Sequence, residues 1–272
     1  MNIKASIIIS TYNNPKWLEK VLWSYECQTE LDFEIVIADD GSGEETKLLI
    51  DSFKSRSAQH IEHIWHEDNG FQKTIILNKA ILASRSDYLI FTDGDCVARM
   101  DFVEKHIRFR EEGFFLSAGY FKLPMHISGL ISNEDIKNQN CFDIDWLKKN
   151  GLKSSFKNNK ITAGPIKARI MNALTPSNAS WNGHNSSGWK KDLLAVNGFD
   201  ERMQYGGEDR ELGERLFNMG IKSKQLRYSI VCVHLDHSRG YVKPEMIKAN
   251  LKIRVATKNM KKVWTDFGIT KS

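Results

Sequence analysis

The run Tyr88-Leu89-Ile90-Phe91-Thr92 is apolar, β-branched or aromatic almost throughout, and it stops abruptly at Asp93-Gly94-Asp95. A short apolar run bounded by turn residues is the pattern of a strand buried on both faces, and such strands belong to parallel sheets covered by helices. Ligands in these sheets lie beyond the carboxyl ends of the strands, so the run would deliver two carboxylates to a ligand site. Alternation along an extended chain puts Asp93 and Asp95 on one side, and Gly94 leaves the backbone open to close approach. Hard divalent cations prefer oxygen donors. Where the protein supplies only one or two carboxylates, substrate phosphates and water complete the shell. The triplet therefore suits a metal–diphosphate site, and it suits equally the polar turn that Asp and Gly ordinarily make.

The preceding chain has the same grammar. Ala5 to Thr11 is a short strand ending at Tyr12-Asn13-Asn14-Pro15, and Pro15 opens a helix on which Trp17, Leu18, Val21, Leu22 and Tyr25 recur. Phe33 to Ala38 closes on Asp39-Asp40-Gly41-Ser42-Gly43 and leads into a helix through Thr46, Leu48, Leu49 and Phe53. Ile61 to His66 is a third strand and Thr74 to Ala83 a third helix. Strand and helix in alternation predict a mostly parallel, doubly wound α/β sheet with right-handed crossovers. The loops at Thr11-Tyr12-Asn13, Asp39-Asp40 and Asp93-Gly94-Asp95 should then converge. Asp40, an acceptor-only group, suits the N3–H of a uracil ring, while one of the two aspartates can instead cap the helix that follows.

Composition narrows the function. With 272 residues, 41% of them hydrophobic, the chain can bury a substantial core as one large domain or two small ones. Its four cysteines form no CxxC pair, which argues against a zinc knuckle or a disulfide framework and for a reducing compartment. The apolar stretch near Met1 is too short for a signal peptide or a membrane span, so a cytoplasmic protein is expected. A net charge of +5 is compatible with phosphorylated substrates or anionic lipid; nucleic acid has only that charge behind it and is not expected as a partner. There is no GxGxxG after the first strand and no GxxxxGK[ST] anywhere, which removes most of the weight from dinucleotide oxidoreductases and P-loop enzymes.

The second half is less periodic. Phe114 to Tyr120 is another strand; Ser132 to Lys160 is polar with scattered anchors at Ile136, Phe142, Trp146 and Leu147, predicting a helix or two in a mobile segment that is either a lid or a peripheral excursion. A second chemical cluster begins at Trp181-Asn182-Gly183-His184 and ends at Gly206-Gly207-Glu208-Asp209, where Leu212, Leu216 and Phe217 give the following helix an apolar face. Acids at a helix start are favoured by its dipole alone. Two glycines directly before them also allow a ligand to approach, and a carboxylate so fixed is the equipment of a general base. Ile230 to His237 is strand-like and ends in histidines. His237 could touch a diphosphate or simply turn the chain. Beyond it, lysines intersperse with Met246, Ile247, Leu251, Ile253, Val255 and Val263, a pattern that fits a helix lying on an anionic bilayer or one packed on the domain.

Ser6 to Asn13, Ile37 to Ser42, Asp68-Asn69-Gly70-Phe71-Gln72, Asn78-Lys79-Ala80 and Asp93-Gly94-Asp95 together resemble the inverting family 2 glycosyltransferases of the GT-A fold. Gly198-Phe199-Asp200-Glu201 followed by Gly206-Gly207-Glu208-Asp209 resembles the catalytic region of β-1,4-galactosyltransferases and chondroitin-polymerase-like bacterial enzymes, with Tyr205 in place of a tryptophan. The resemblance implies a UDP-sugar donor held by Thr11, Tyr12, Asn13, Asp40, Lys73, Asp93, Gly94 and Gly207. It implies a divalent metal, Mn²⁺ or Mg²⁺, on Asp95 and His234, and Asp209 as base with Glu208 beside the sugars. Trp181, Trp189, Tyr205 and His237 are candidates for sugar or acceptor contacts.

The expected organisation is one GT-A unit over residues 1–240, with a nucleotide-sugar half (1–113) and an acceptor half (114–240), followed by a basic helical tail (241–272). The expected reaction is metal-dependent, inverting transfer of a hexose or N-acetylhexosamine to a glycan or glycolipid in polysaccharide, capsule or lipopolysaccharide assembly, at the inner face of the membrane if the tail docks there. Other readings of the same residues are a non-catalytic sugar- or nucleotide-binding subunit and a nucleotidyltransferase. The latter lacks a glycine-rich phosphate loop near the start of the chain.

Overall fold

The computed structural model describes residues 3–176, 179–238 and 242–271. Its first half is a βα repeat: β1 (Ala5–Thr11), α1 (Pro15–Glu26), β2 (Phe33–Asp39), α2 (Glu44–Arg56), β3 (Ile61–Trp65), α3 (Lys73–Ala83), β4 (Tyr88–Asp93), β5 (Cys96–Ala98) and α4 (Phe102–Phe109). β1 lies between β2 and β4, all parallel, in a register that sets Thr11 level with Asp39 and Ser10 level with Asp93. This is where the strand order reverses, the place at which open α/β sheets hold their ligands.

Alternation divides each buried strand between two cores. Ile7, Ile9, Ile35, Ile37 and Ile90 meet Leu18, Val21, Leu22 and Tyr25 of α1 on one face. Ile8, Val36, Leu89 and Phe91 meet Ile76, Leu77 and Ala80 of α3 on the other. Each such fully buried side chain is worth about 1.5–3 kcal/mol, so the strand ends, and the carboxylates on them, are held by a rigid floor.

The second half completes one sheet of eight strands, with β6 (Phe114–Lys122), β7 (Ser186–Trp189) and β8 (Lys222–His234), in the order β3-β2-β1-β4-β7-β6-β8-β5. β6 and β8 are parallel, whereas β7 runs antiparallel to both its neighbours and β5 antiparallel to β8. β8 is longer than its apolar stretch predicts, because the polar Lys222-Ser223-Lys224-Gln225 segment pairs with β6. Between β6 and β7 the chain is more helical than expected: α5 (Met125–Leu130), α6 (Asn133–Lys137), α7 (Ile144–Lys149), α8 (Asn159–Thr162) and α9 (Pro165–Leu174). Two of these start on side-chain caps, Ser132 with Asp135 in a capping box and Asp143 on the amides of Asp145 and Trp146.

α10 (Lys190–Ala195) and α11 (Glu208–Asn218) follow β7, and α12 (Pro244–Asn259) lies across α11. Of the two readings of the basic tail, packing on the domain is what these contacts display. Thr257 is buried and donates to Glu211 Oε1 at 2.9 Å, Arg254 pairs with Glu214, and the amide of Asn197 donates to the carbonyls of Thr265 and Thr270. The outer face of α12 stays exposed and carries Ile247, Leu251 and Val255 beside Lys248, Lys252 and Lys258. Among the described residues no helix is long and apolar enough to cross a membrane.

Candidate active site

A cavity of about 1670 Å³ opens at the carboxyl ends of β1, β2 and β4 and extends under the start of α11. Ligand pockets for single small molecules usually occupy about 300–1,000 Å³, so this one has room for two. Thr11, Tyr12, Asn13, Asp40, Lys73, Asp93, Gly94, Asp95, Trp181, Tyr205, Gly207, Glu208, Asp209, His234 and His237 all border it. Of the candidate residues only Trp189 does not.

Asp209 sits in the first turn of α11. Its Oδ1 is buried and has no hydrogen-bond partner. Burial, then the charge of Glu208, push the carboxyl up to about 7 from an ordinary 3.8, with Lys73 opposing them. A carboxylate poised near neutrality with a spare lone pair facing a cavity can take a proton from a bound hydroxyl. Glu208 is already occupied, since the Gly206 N–H donates to its Oε2 at 2.8 Å. The two glycines before these acids both have positive φ, +104° at Gly206 and +95° at Gly207. A Cβ on Gly207 would lie 2.9 Å from Arg254 Cδ, so this glycine makes room for α12 as well as bordering the cavity. Gly183, whose role the sequence did not betray, passes so close that a Cβ there would meet the Asp209 carboxylate at 2.8 Å.

At the nucleotide end Asp93 accepts from Lys73 Nζ and Ser10 Oγ, both at 2.7 Å. Burial alone would raise Asp93, yet the Lys73 ammonium and these two hydrogen bonds hold it well below the usual carboxylate range. Lys73 is the counterpart: burial would lower it, but Asp93, Asp209 and Glu208 keep it firmly protonated. One cation is thus shared between the strand carboxylate and the two acids of α11. The missing side chain of Gly94 admits Ser10 and Thr11, whose atoms a Cβ would meet at 3.1 Å, so close approach here is by the chain itself.

Asp39 and Asp40 divide their work. Asp39 accepts from the Ser42 amide at 2.9 Å and lies 2.9 Å from His63, so it shapes the turn. Asp40 takes the Gln72 amide at 3.0 Å and His66 Nε2 at 2.8 Å. Burial pushes Asp40 upward, with His66 and Gln72 opposing. Asn13, at φ 45°, accepts from the Gly43 amide, and the Tyr12 hydroxyl donates to Asp68.

Antiparallel pairing of β5 with β8 sets Cys96 opposite His234 and so brings the end of β8 to Asp95. His237, expected near sugars or a diphosphate, joins them. Its Nε2 is 2.8 Å from Asp95 Oδ2, its ring stacks on His234 at 5.6 Å, and its Nδ1 lies 2.8 Å from the Ser238 carbonyl. A carboxylate and two imidazoles offer donor atoms within 4.8 Å of one another. The Ser238 carbonyl beside His237 Nδ1 is the kind of second partner that orients a metal-ligating histidine. These residues fit a divalent cation.

Two aromatic expectations are corrected. Trp181 is fully buried between Phe91 and Phe115, so no sugar can stack on it. Trp189 packs edge-on against Tyr88 and donates its Nε1–H to the Glu111 carbonyl, away from the cavity. Tyr205 does border the cavity, edge to face with Phe71 at 6.0 Å. His184 also stands on the cavity wall, against Tyr120, and burial lowers it to about 4, leaving it a neutral ring.

A sheet of this order, with carboxylates at its switch point and an enclosed acid at the start of α11, has the GT-A architecture. Residues 6–121 match the model of glycosyl transferase family 2, and residues 175–238 that of the N-terminal domain of galactosyltransferase, so the chain is a glycosyltransferase with a family 2 domain. It is 29% identical to the uncharacterized glycosyltransferase YfnE of Bacillus subtilis, over 92% of this chain and 69% of that protein. Chondroitin synthase of Escherichia coli is 27% identical over 79% of this chain, which spans only 32% of that longer protein. Among solved structures, a mannosyltransferase from Pyrobaculum calidifontis in complex with GDP-Man and Mn²⁺ superposes with a TM-score of 0.60 at 17% identity, over 95% of this chain and 62% of the other. S. aureus TarS 1–349 in complex with UDP-GlcNAc gives 0.61 at 16% identity, over 95% and 69%.

Proposed function

We propose that this protein transfers a hexose or N-acetylhexosamine from a UDP-sugar to a hydroxyl of a glycan or glycolipid, with inversion, in the assembly of a cell-surface polysaccharide, capsule or lipopolysaccharide. The observation that carries this reading is Asp209: enclosed, raised to about 7, with one oxygen unpartnered on a cavity large enough for donor and acceptor together. Asp209 takes the proton of the acceptor hydroxyl as its oxygen bonds to the anomeric carbon. The bond from that carbon to the diphosphate breaks, and UDP leaves. A single displacement inverts the configuration.

Asp40 retains lone pairs beyond those used by His66 and Gln72 and can accept from the uracil N3–H. Thr11, Tyr12, Asn13 and Gly94 line the same end for the base and ribose, with Asp93 and Lys73 beside the ribose and diphosphate. Gly207, Glu208 and Tyr205 border the sugar. Asp95, His234 and His237 would hold the divalent metal, manganese or magnesium, which supplies Lewis-acid stabilisation of the leaving diphosphate when bound. The cytoplasm, at the inner face of the membrane, is the proposed place of work.

The test is release of UDP from a panel of UDP-sugars with Mn²⁺, with and without candidate glycan acceptors. Acceptor-dependent UDP release with an inverted product supports the reading. Tight UDP-sugar binding with no turnover on any acceptor would make the protein a binding subunit instead.

A further inference from the structure

From Trp146 to Lys191 the sequence contains no Asp or Glu, and Lys148, Lys149, Lys153, Lys157, Lys160, Lys167 and Arg169 all fall between α7 and the end of α9. α9 is held by one narrow face. Ala168 is buried on that face, and Asn172 donates to Ser229 Oγ at 2.8 Å and accepts from the Tyr228 amide at 2.9 Å, both on β8. The opposite face carries Ile166, Ile170 and Leu174, four residues apart and therefore in one row. They are 78%, 53% and 76% exposed, and Phe156 just upstream is 72% exposed. Helical geometry sets Lys167 and Arg169 on the two flanks of that row.

We propose that α9, with the basic segment before it, docks on an anionic phospholipid bilayer, the aliphatic row entering the acyl boundary and the flanking cations meeting lipid phosphates. An amphipathic helix with an apolar row and cationic edges has the form of an interfacial helix. The charge alone would suit any polyanion, but a nucleic acid or acidic glycan would leave the Ile and Leu side chains in water. A second copy of this chain would oppose two faces of the same sign. A bilayer satisfies both features. α8, in the same segment, places Lys160 on the wall of the catalytic cavity, so the docked edge adjoins that cavity. The inference rests on charge and exposure, independently of the reaction proposed above.

The experiment is vesicle flotation of the full chain, without any sugar nucleotide, on phosphatidylcholine alone and on phosphatidylcholine with phosphatidylglycerol. Salt-sensitive binding to the anionic vesicles only is expected. The triple variant K153Q/K157Q/R169Q should bind on the order of a hundredfold more weakly, each cation near such a surface contributing about fivefold. I166Q/I170Q/L174Q, which keeps the charge and replaces exposed side chains with good helix formers, should lose at least about tenfold. Thermal melts equal to the parent's will show that both variants fold. Unchanged vesicle binding by either folded variant overturns the proposal. So does retention on heparin or RNA without vesicle binding, which assigns the face to a polyanion, or a dimer abolished only in the apolar variant, which assigns it to a second copy.

Discussion

Replacing Asp209 with Asn exchanges one oxygen for an amide and tests two properties of the site at once. Asn can accept a hydrogen bond and cap a helix, but it cannot take a proton. In the folded protein Asp209 is raised to about 7 from an ordinary 3.8. Below 3.8 the group is protonated in both states and contributes no difference. As pH rises from there through 7, the unfolded chain ionises freely while the native site resists, so the native state loses stability. At about 1.4 kcal/mol per unit the cost approaches about 4 kcal/mol once Asp209 is fully ionised. Asp209→Asn should therefore melt with the parent near pH 4 and several degrees above it at pH 8. Turnover should fall by about 10²–10⁴ while UDP-sugar affinity holds, because the missing interaction develops in the transition state. The parent's kcat/KM should rise through about pH 7 and the variant's should not. Differential scanning fluorimetry across pH, with UDP-release kinetics, reads both. Near-normal turnover together with equal melting at pH 8 would leave Asp209 as a first-turn acid favoured only by the dipole of α11 and move the search for the base to Glu208.

Lys73→Met strands Asp93 and removes the cation opposing the rise of Asp209, so chemical denaturation should show a loss on the order of 3 kcal/mol, and any remaining activity should titrate at higher pH than the parent's. Excess EDTA should abolish transfer and Mn²⁺ restore it; Asp95→Ala and His237→Ala should each weaken Mn²⁺ binding at least about tenfold by calorimetry, and full activity in EDTA would refute the metal assignment. Asn250 donates to the carbonyls of Gln204 at 2.8 Å and Gly206 at 3.0 Å. Asn250→Ala leaves both without that donor, which should cost about 1–3 kcal/mol in urea melts and lower kcat more than it changes donor KM; an unchanged kcat would show that the turn holds itself.

The first half of the fold was legible because its strands are continuous apolar runs that stop at acids, and because Pro15 and the spaced Leu18, Leu22 and Tyr25 announce the helix between two of them. Glu208 and Asp209 could be placed at a helix start for a similar local reason, the abrupt change from Gly206-Gly207 to a periodic apolar face. What stayed hidden depends on register between distant segments. His237 meets Asp95 only because β8 pairs antiparallel with β5, and nothing near either residue encodes that pairing. Trp181 and Trp189 invited a sugar-stacking role by type alone, and only their burial against Phe91, Phe115 and Tyr88 removes it. The middle segment is more helical than its pattern predicts because its helices are short; two of them start on side-chain caps, of which Ser132 with Asp135 is visible in principle. Gly183 acts through one close approach to Asp209 and Asn250 through two hydrogen bonds to a distant turn, and such contacts leave no periodic trace.

The hold of α12 on the turn before Glu208 has a consequence for biosynthesis. A ribosome exposes Gln204 to Asp209 before it has made Asn250 or Arg254, so during that interval the turn lacks the amide that ties down two of its carbonyls and the guanidinium stem that packs against Gly207. The donor end of the proposed reaction, built from β1 to β4, is complete in the chain well before that. On the proposed function, a nascent or clipped chain that stops short of α12 would lack the transfer step first.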